Sequence, residues 1–534
     1  MSFVLLNREL TTFCTKLLPR MLTQVCRDPD SAEYGSFDRN WWHYKIRDFS
    51  SIILQQGGYA LYCASLIPEM KARAKPLKAL AAGSAQFWNL RARKFRAFEE
   101  YYPWEEGYPP VAFSTLAIAK LVDAGVVDVD SVYDGLQRAS SQLLSRFEGK
   151  ATNQQVAGTA ALCWIYKIAP ALVDKVILDS ICSRTLACQH SEGWYMEYGG
   201  PDLGYLSVTM DCLWDAFDAT SDNRFRESAA RALDFISAFT RLPSRGAGMH
   251  NARNTDYIVP YGIARFLGEQ EFEGKAREVL VRVFENISDP GHFIHAVDDR
   301  YFCHYIGHSF FRALQLLTVP SDQTPSHFQS PSVKTFPGTG HFLFHDTPWG
   351  GSALISGKKG AVFTLWFGDK SISDYGWIVS EENAVWVSHW WGDFWEIESE
   401  ENQIVAKGYL TSHKPNESTP LKHMVLRVLS LLMGRKIIGM LKEKMIFKEK
   451  QNKKYSYVRQ INFGTHSVTV NDFIGLSQDA KVSRASRSSK RHVASADSCH
   501  PEDLCLVDEM IEIREKSEFV GEFMKITTVY RAKA

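Results

Sequence analysis

Residues 319–333, VPSDQTPSHFQSPSV, are rich in proline and serine, and the hydrophobic pattern of the chain changes across them. Before this stretch, apolar residues recur every three or four positions, as in Val132, Leu136 and Ala139, which is typical of amphipathic helices. After it, short runs such as residues 341–345 alternate with a period of two, which is typical of strands. The stretch itself has the composition of an interdomain linker.

Helices followed by strands predict an α+β protein of two domains. We expect successive helical hairpins in residues 1–320 and an antiparallel β sandwich in residues 334–534. Within residues 480–503, where no apolar pattern is present, we expect a mobile loop. Later helices of the first domain are predicted at 223–241, 254–268, 272–287 and 303–317.

The composition is that of a globular protein with a large core, since 45% of the 534 residues are hydrophobic. Lys+Arg and Asp+Glu are equal at 61 each, and this excludes the overall basic excess of a protein that holds nucleic acid by its net charge. The ten cysteines lack CxxC spacing, which indicates reduced thiols. We find neither a secretory signal nor an apolar run long enough to span a membrane, so we expect a cytoplasmic protein.

One basic segment interrupts the strands of the second domain. Residues 421–454 carry ten Lys/Arg against two Glu, interleaved with apolar residues. Such a segment can lie peripherally on an anionic membrane surface. It can equally be an interdomain helix whose charges face water, and the sequence leaves both interpretations open.

Four patches gather aromatic side chains with Asn, His, Arg and Glu in segments that connect the predicted helices, where functional residues concentrate. Flat aromatic faces stack on sugar rings, so this mixture is typical of a carbohydrate groove. The patches are residues 37–44, residues 101–108, residues 153–154 together with 192–205, and residues 250–257.

Several of these motifs resemble those of heparinase II/III-like proteins. They are Asn153-Gln154 at the start of a helix of small residues, Glu-Gly-Trp, Glu-Tyr-Gly-Gly and Gly-Tyr within 192–205, and Arg-Asn-Thr-Asp-Tyr at 253–257. Residues 358–362 and 374–376 resemble sandwich motifs of the same group. The resemblance implies an N-terminal (α/α) toroid before a β sandwich. It also implies β-elimination on a uronate-containing, acidic polysaccharide, or a relative that kept the fold and changed the reaction.

That reaction fits the residue types. Removing the C5 proton of a uronate requires directed hydrogen bonds that neutralise its carboxylate. The resemblance places Asn153 where the family has its carboxylate-neutralising residue, and Tyr205 where it has its catalytic tyrosine. Arg253 is preferred as a carboxylate clamp because a guanidinium binds in a bidentate way. The predicted catalytic residues are Asn153, Tyr205, His250 and Tyr257, and the predicted substrate-binding residues are Gln154, Trp194, Glu197, Arg253, Tyr108 and Trp42.

Structural roles remain open for the same residues. Asn153 could be a helix N-cap, Tyr205 a packing residue, and His250 with Arg253 part of a structural polar cluster. The sandwich also lacks the His-x-His-x-Asp stretch that many lyases of this group carry; His341 and His389 do not match it.

We predict no metal or other cofactor. His304 and His308 are four residues apart, as zinc ligands on a helix are, but no HExxH motif contains them. Walker, GxGxxG and GxSxG motifs are also missing from the sequence.

Two other functions remain open. A glycoside hydrolase on the same toroid would need two carboxylates flanking the bond, for which Glu106, Glu197, Asp202 and Asp256 are candidates. A non-catalytic protein that binds glycans in surface-polysaccharide synthesis would need neither those carboxylates nor the histidine motif. The sequence does not decide between these functions, and it does not give the sugar.

Overall fold

A computed structural model describes most of the chain. The described residues are 3–243, 247–289, 292–317, 333–345, 347, 350–368, 370–381, 384–400, 402–413, 418–442, 454–476, 480–486 and 511–532. The first region is helical. Its helices are α1 (Phe3–Gln24), α2 (Arg39–Trp42), α3 (Gln56–Ser65), α4 (Ala74–Ala92), α5 (Tyr108–Asp123), α6 (Tyr133–Leu144), α7 (Thr152–Ile168), α8 (Lys175–Leu186), α9 (Leu203–Thr220), α10 (Asn223–Thr240), α11 (Tyr261–Ala264), α12 (Glu273–Phe284), α13 (Asp299–Tyr301) and α14 (Gly307–Leu317).

The helices form two concentric rings. In the inner ring, α3, α5, α7, α9, α11 and α14 contact one another in that order, and α14 returns to α3. Helices α4, α6, α8, α10, α12 and α1 pack outside them. The inner helices α5, α7 and α9 are buried nearly all round, which their small and apolar residues allow, whereas α6 and α10 bury one face. This is the (α/α) toroid.

The second region is built mainly from antiparallel strands in three sheets, with orders β1-β2-β3-β4-β5, β10-β7-β6-β13 and β14-β15-β12-β11-β9-β8. The strands are β1 (Val333–Phe336), β2 (His341–Phe344), β3 (Ser352–Ser356), β4 (Val362–Phe367), β5 (Lys370–Asp374), β6 (Trp377–Glu381), β7 (Ala384–Val387), β8 (Glu396–Glu400), β9 (Gln403–Tyr409), β10 (Thr411–His413), β11 (Ser456–Phe463), β12 (Val468–Gly475), β13 (Lys481–Arg484), β14 (Ile511–Val520) and β15 (Phe523–Ala532). Helices α15 (Pro420–Met433) and α16 (Lys436–Lys442) lie between β10 and β11.

The first sheet is buried on both faces. Leu343, Leu354 and Trp366 join the core of the helical toroid, whereas their strand neighbours Phe342 and Leu365 join the core shared with the other two sheets. Successive side chains of a strand point to opposite faces, so a strand buried on both sides is apolar almost throughout. The sheet therefore joins the toroid to the sandwich and, as described below, positions part of the site.

The predicted order of toroid and sandwich is confirmed, but two local expectations were wrong. The helix expected over 254–268 is reduced to α11, because Asn254 takes a left-handed φ of 56° and Pro260 stands directly before the helix. The loop expected over 480–503 contains β13, which pairs with β6, while its later part lies outside the described residues. The expected linker at 319–333 lies outside them too, up to Val333, where β1 begins. The domain boundary stays a prediction.

Among the described helices, we find none that is both long and apolar enough to cross a membrane.

Candidate functional site

The start of α7 provides the first part of the site. The backbone N–H of Asn153 donates to Oε1 of Glu197 at 2.6 Å, and Gln154 Nε2 donates to the hydroxyl of Tyr198 at 3.0 Å. Asn153 Oδ1 and Glu197 Oε2 are buried and have no hydrogen-bond partner among the described residues. Burial raises the pKa of Glu197 well above its usual value, and the N–H of Asn153 only partly offsets that effect. Glu197 is therefore a buried carboxyl group with a raised pKa, next to an amide oxygen that has no partner among the described residues.

Arg253 provides the charge of the site. Its guanidinium lies 4.0 Å from the ring centre of Tyr198 and 5.7 Å from that of Tyr205. The residue is 2% exposed, and none of its three guanidinium nitrogens makes a hydrogen bond of normal geometry within the described part of the chain. Tyr198 takes a left-handed φ of 56°, a conformation that costs a bulky residue about 1–2 kcal/mol. Burial disfavours this cation, but Tyr205, Tyr198 and the carboxyl group of Asp202 favour it and raise the pKa of Arg253 overall.

Tyr205, Tyr257 and Tyr305 form the aromatic part of the site. The rings of Tyr205 and Tyr257 meet edge to face at 6.3 Å, and Tyr305 lies 6.3 Å from Tyr205. The hydroxyl of Tyr257 donates to that of Tyr305 at 3.1 Å, and burial raises the pKa of Tyr257 well above its usual value. Tyr257 is therefore a neutral phenol with a hydrogen-bond partner. This geometry suits it to orienting its neighbours better than to taking a proton.

Asp202 ties the two halves of the site together. As the N-cap of α9 it accepts from the backbone N–H of Tyr205 at 3.1 Å, and its other oxygen accepts from the N–H of Arg253 at 3.2 Å. Burial raises its pKa to about 6. Gly204, in the first turn of α9, lets the segment bearing Thr255 and Tyr257 approach, since a Cβ at this position would stand 2.7 Å from the carbonyl oxygen of Tyr257.

The first sheet holds the segment that carries Arg253. The ring of His250 bonds to Ser356 Oγ at 2.8 Å and to Thr364 Oγ1 at 3.0 Å. Lys359 Nζ donates to the carbonyl oxygens of Met249 and Asn251 and to the side chain of Asn254. Burial lowers the pKa of His250 well below its usual value. Because both ring nitrogens are occupied, this geometry favours a structural role for His250 over the catalytic one.

The structure thus brings six of the ten predicted residues together: Asn153, Gln154, Glu197, Tyr205, Arg253 and Tyr257.

Three other predicted residues make their contacts elsewhere. Trp42 donates from Nε1 to the carbonyl oxygen of Gln24 at 2.8 Å. The hydroxyl of Tyr108 donates to Gln155 at 2.9 Å. Trp194 donates to Glu192 at 2.9 Å and stacks on His190 at 4.6 Å. These contacts account for their polar atoms and favour packing roles; substrate binding by them stays a prediction.

The sequence analysis did not single out four tyrosines that lie at or next to the site, namely Tyr101, Tyr198, Tyr301 and Tyr305. Tyr198 lies within a quoted patch but was not singled out, and Tyr101 lies in the second patch. Tyr101 is 54% exposed, and Tyr198 and Tyr205 are among its electrostatic neighbours, so it lies where the cluster meets solvent. Tyr301 and Tyr305 come from a segment whose histidines had drawn attention as possible metal ligands. No group of three or more His, Cys, Asp or Glu in the described residues is arranged to hold a metal.

Comparisons with known proteins agree on the fold. No protein-family profile matches the chain, and no curated protein matches it in sequence. A chondroitin AC lyase of Streptomyces coelicolor A3, solved in complex with chondroitin sulphate, gives a TM-score of 0.51 at 10% identity, covering 99% of this chain and 78% of that one. This chain has a polysaccharide-lyase-like fold.

Two further structures align with this chain at lower TM-scores. A variant of the Streptomyces enzyme with a tyrosine replaced by alanine gives a TM-score of 0.46 at 10% identity, over 99% of this chain and 78% of that one. Heparinase III gives 0.38 at 10% identity, over 99% and 89%.

Proposed function

We propose that this protein is a polysaccharide lyase that cleaves an acidic, uronate-containing polysaccharide by β-elimination. The observation that carries the proposal is Arg253, a buried guanidinium whose nitrogens make no hydrogen bond of normal geometry in the described residues. Asp202 and a looser contact with Tyr198 favour the buried cation, but its N–H groups can still donate hydrogen bonds of normal geometry to a bound anion. A carboxylate fits best, because it accepts the guanidinium fork in a bidentate way.

The neighbours of Arg253 match the steps of the elimination. The guanidinium would bind the uronate carboxylate, and the side chain of Asn153 would hydrogen-bond to it, so that negative charge can develop at C5. The hydroxyl group of Tyr205, next to Arg253, is placed to exchange protons with the sugar. The C5 proton passes to the hydroxyl oxygen of Tyr205 and its electron pair forms the C4–C5 double bond. The C4–O bond breaks, and the departing oxygen takes up the proton that the hydroxyl group of Tyr205 gives away. Glu197 anchors the start of α7 through the N–H of Asn153.

The test is incubation of the purified protein with chondroitin sulphate, heparin and a neutral glucan, followed by ultraviolet absorbance of the unsaturated product. We expect turnover of at least one acidic glycan and none of the neutral one. Tyr205→Phe should lower kcat by ~10²–10⁴-fold while glycan binding persists, since only the proton-transferring hydroxyl is lost. Asn153→Ala should lower it by ~10²–10³-fold.

The hydrolase alternative predicts a different pattern. A buried carboxyl group with a raised pKa, such as Glu197, is a candidate general acid. If Glu197→Gln abolishes turnover, Tyr205→Phe does not, and the products carry no double bond, the protein is a hydrolase. If an acidic glycan binds and raises the melting temperature but is never cleaved, the non-catalytic alternative is correct.

A further inference from the structure

Helix α15 exposes an apolar face. Six large apolar side chains of this helix are exposed, including Leu432 at 70% and Val428 at 57%. Their spacing of three and four residues puts them along one side of the helix. They are Leu421, Met424, Val425, Val428, Leu431 and Leu432. Soluble proteins rarely leave so contiguous an apolar stripe on one element without a partner.

The opposite side of α15 is docked on the toroid. Ser430 is buried and donates to the carbonyl oxygen of Pro103 at 2.5 Å, and Arg427 pairs with Asp48. Arg435, just after the helix, donates to Ser145 at 2.9 Å. The helix is therefore held with its apolar side facing outward.

The charges around this stripe have one sign. Residues 418–442 contain five Lys/Arg and no Asp or Glu. Lys422, Arg435 and Lys436 are exposed, and so is His423. Among the described residues, Asp48 is a carboxylate that bonds to α15, and it is paired with Arg427.

We propose that α15 binds the surface of an anionic lipid membrane, lying in its plane. An apolar stripe bordered by cations fits such a surface, because its side chains enter the acyl boundary while Lys and Arg remain among the anionic headgroups. A second copy of the chain would bring the same cations together and is disfavoured by their repulsion. The mode of binding is peripheral, with α15 as the anchor.

The experiment measures binding of the full chain to sedimenting vesicles of phosphatidylcholine alone and of phosphatidylcholine mixed with an equal amount of phosphatidylglycerol. We expect tight binding to the mixed vesicles only, weakening as salt is raised. Lys422→Gln and Lys436→Gln should each weaken it about fivefold. The double variant Val428→Asp/Leu432→Asp should lose binding, whereas the control Val176→Asp, at a 77% exposed site on α8, should not.

Two results with vesicles and one mass measurement would overturn the proposal. No binding to mixed vesicles, or binding that the α15 double variant retains, overturns the proposal. Mass measurement in solution tests the other occupant: a dimer that Val428→Asp/Leu432→Asp dissociates, with no vesicle binding, means that a second copy covers the stripe. Because neither readout uses turnover, the outcome does not depend on the lyase proposal.

Discussion

Replacing Arg253 tests whether this side chain serves function without stabilising the fold. Because Arg253 makes no hydrogen bond of normal geometry in the described residues and interacts with Asp202 only at longer range, Arg253→Met should leave the free energy of unfolding nearly unchanged while abolishing turnover. The matched control is Arg459, equally buried but bonded to Asp374 at 3.0 Å and Asp472 at 2.7 Å. Arg459→Met should instead lower that free energy by about 3–5 kcal/mol. Chemical denaturation of both variants measures the contrast, and a fall in stability for Arg253→Met would mean a structural arginine.

His304 should make the protein sensitive to acid. Both ring nitrogens are buried without a partner among the described residues, and burial lowers its pKa from 6.5 to about 3. A depressed pKa gives stability that is present above pH 6.5 and lost as the pH falls towards 3, because only the unfolded chain takes the proton in that window. Between pH 6.5 and 5 this group alone should remove about 2 kcal/mol.

His304→Leu tests that dependence. The variant should unfold with a flatter pH profile than the wild type, and it should be no less stable at pH 7, since it removes two unsatisfied polar atoms. Thermal melts at several pH values give the comparison. Equal slopes for the two proteins would show that His304 does not cause the acid sensitivity.

Residue types alone located much of the candidate site, for a physical reason. Asn153 and Tyr205 stand in the first turns of α7 and α9, Arg253 stands in a connecting segment, and a ring of helical hairpins brings such positions together. The role of His250 could not be foreseen, because the hydroxyls of Ser356 and Thr364 that engage its ring come from strands about a hundred residues away.

At the level of elements, the first sheet fixes the segment that bears Arg253. Lys359→Met removes the ammonium that bonds the carbonyls of Met249 and Asn251, and hydrogen bonds to a charged group are each worth about 1.5–3 kcal/mol. We expect faster hydrogen exchange over 249–257 and lower activity. Lys358→Met is the adjacent control, since Lys358 bonds Gly338 and Asp393 instead. Unchanged exchange in the Lys359 variant would contradict the clamp.

The hydrophobic period predicted the element types well and their ends poorly. Strands β2, β3 and β4 are short, nearly continuous apolar runs, because the sheet that they form is buried on both faces. The pattern around 254–268 is apolar enough for a helix, but its residues are buried by contacts with α9 and α14 that only the assembled chain provides. Tertiary packing overrode local propensity there.

For the whole molecule, burial of the first sheet on both faces predicts that toroid and sandwich unfold together. Trp366 belongs to the toroid core, so Trp366→Ala should lower the free energy of unfolding by about 3–5 kcal/mol. The melting temperatures of the helical and the sheet signals should fall by the same amount. Circular dichroism followed on heating reports the helical region, and hydrogen exchange of the strand amides reports the sheets. Phe519→Ala, at an exposed site on β14, is the control. Two separate transitions would contradict this coupling.

The closed ring of helices also has a consequence for synthesis. Asn7, in α1, donates to the carbonyl oxygen of Leu317, 310 residues later, and Arg20 bonds Asp299. A ribosome adds about 5–20 residues per second, so α1 waits roughly 15–60 s for the partners that bury Leu6, Leu10 and Leu17. During that time its apolar face is open to chaperones and to aggregation. The first helix made is among the last to be packed.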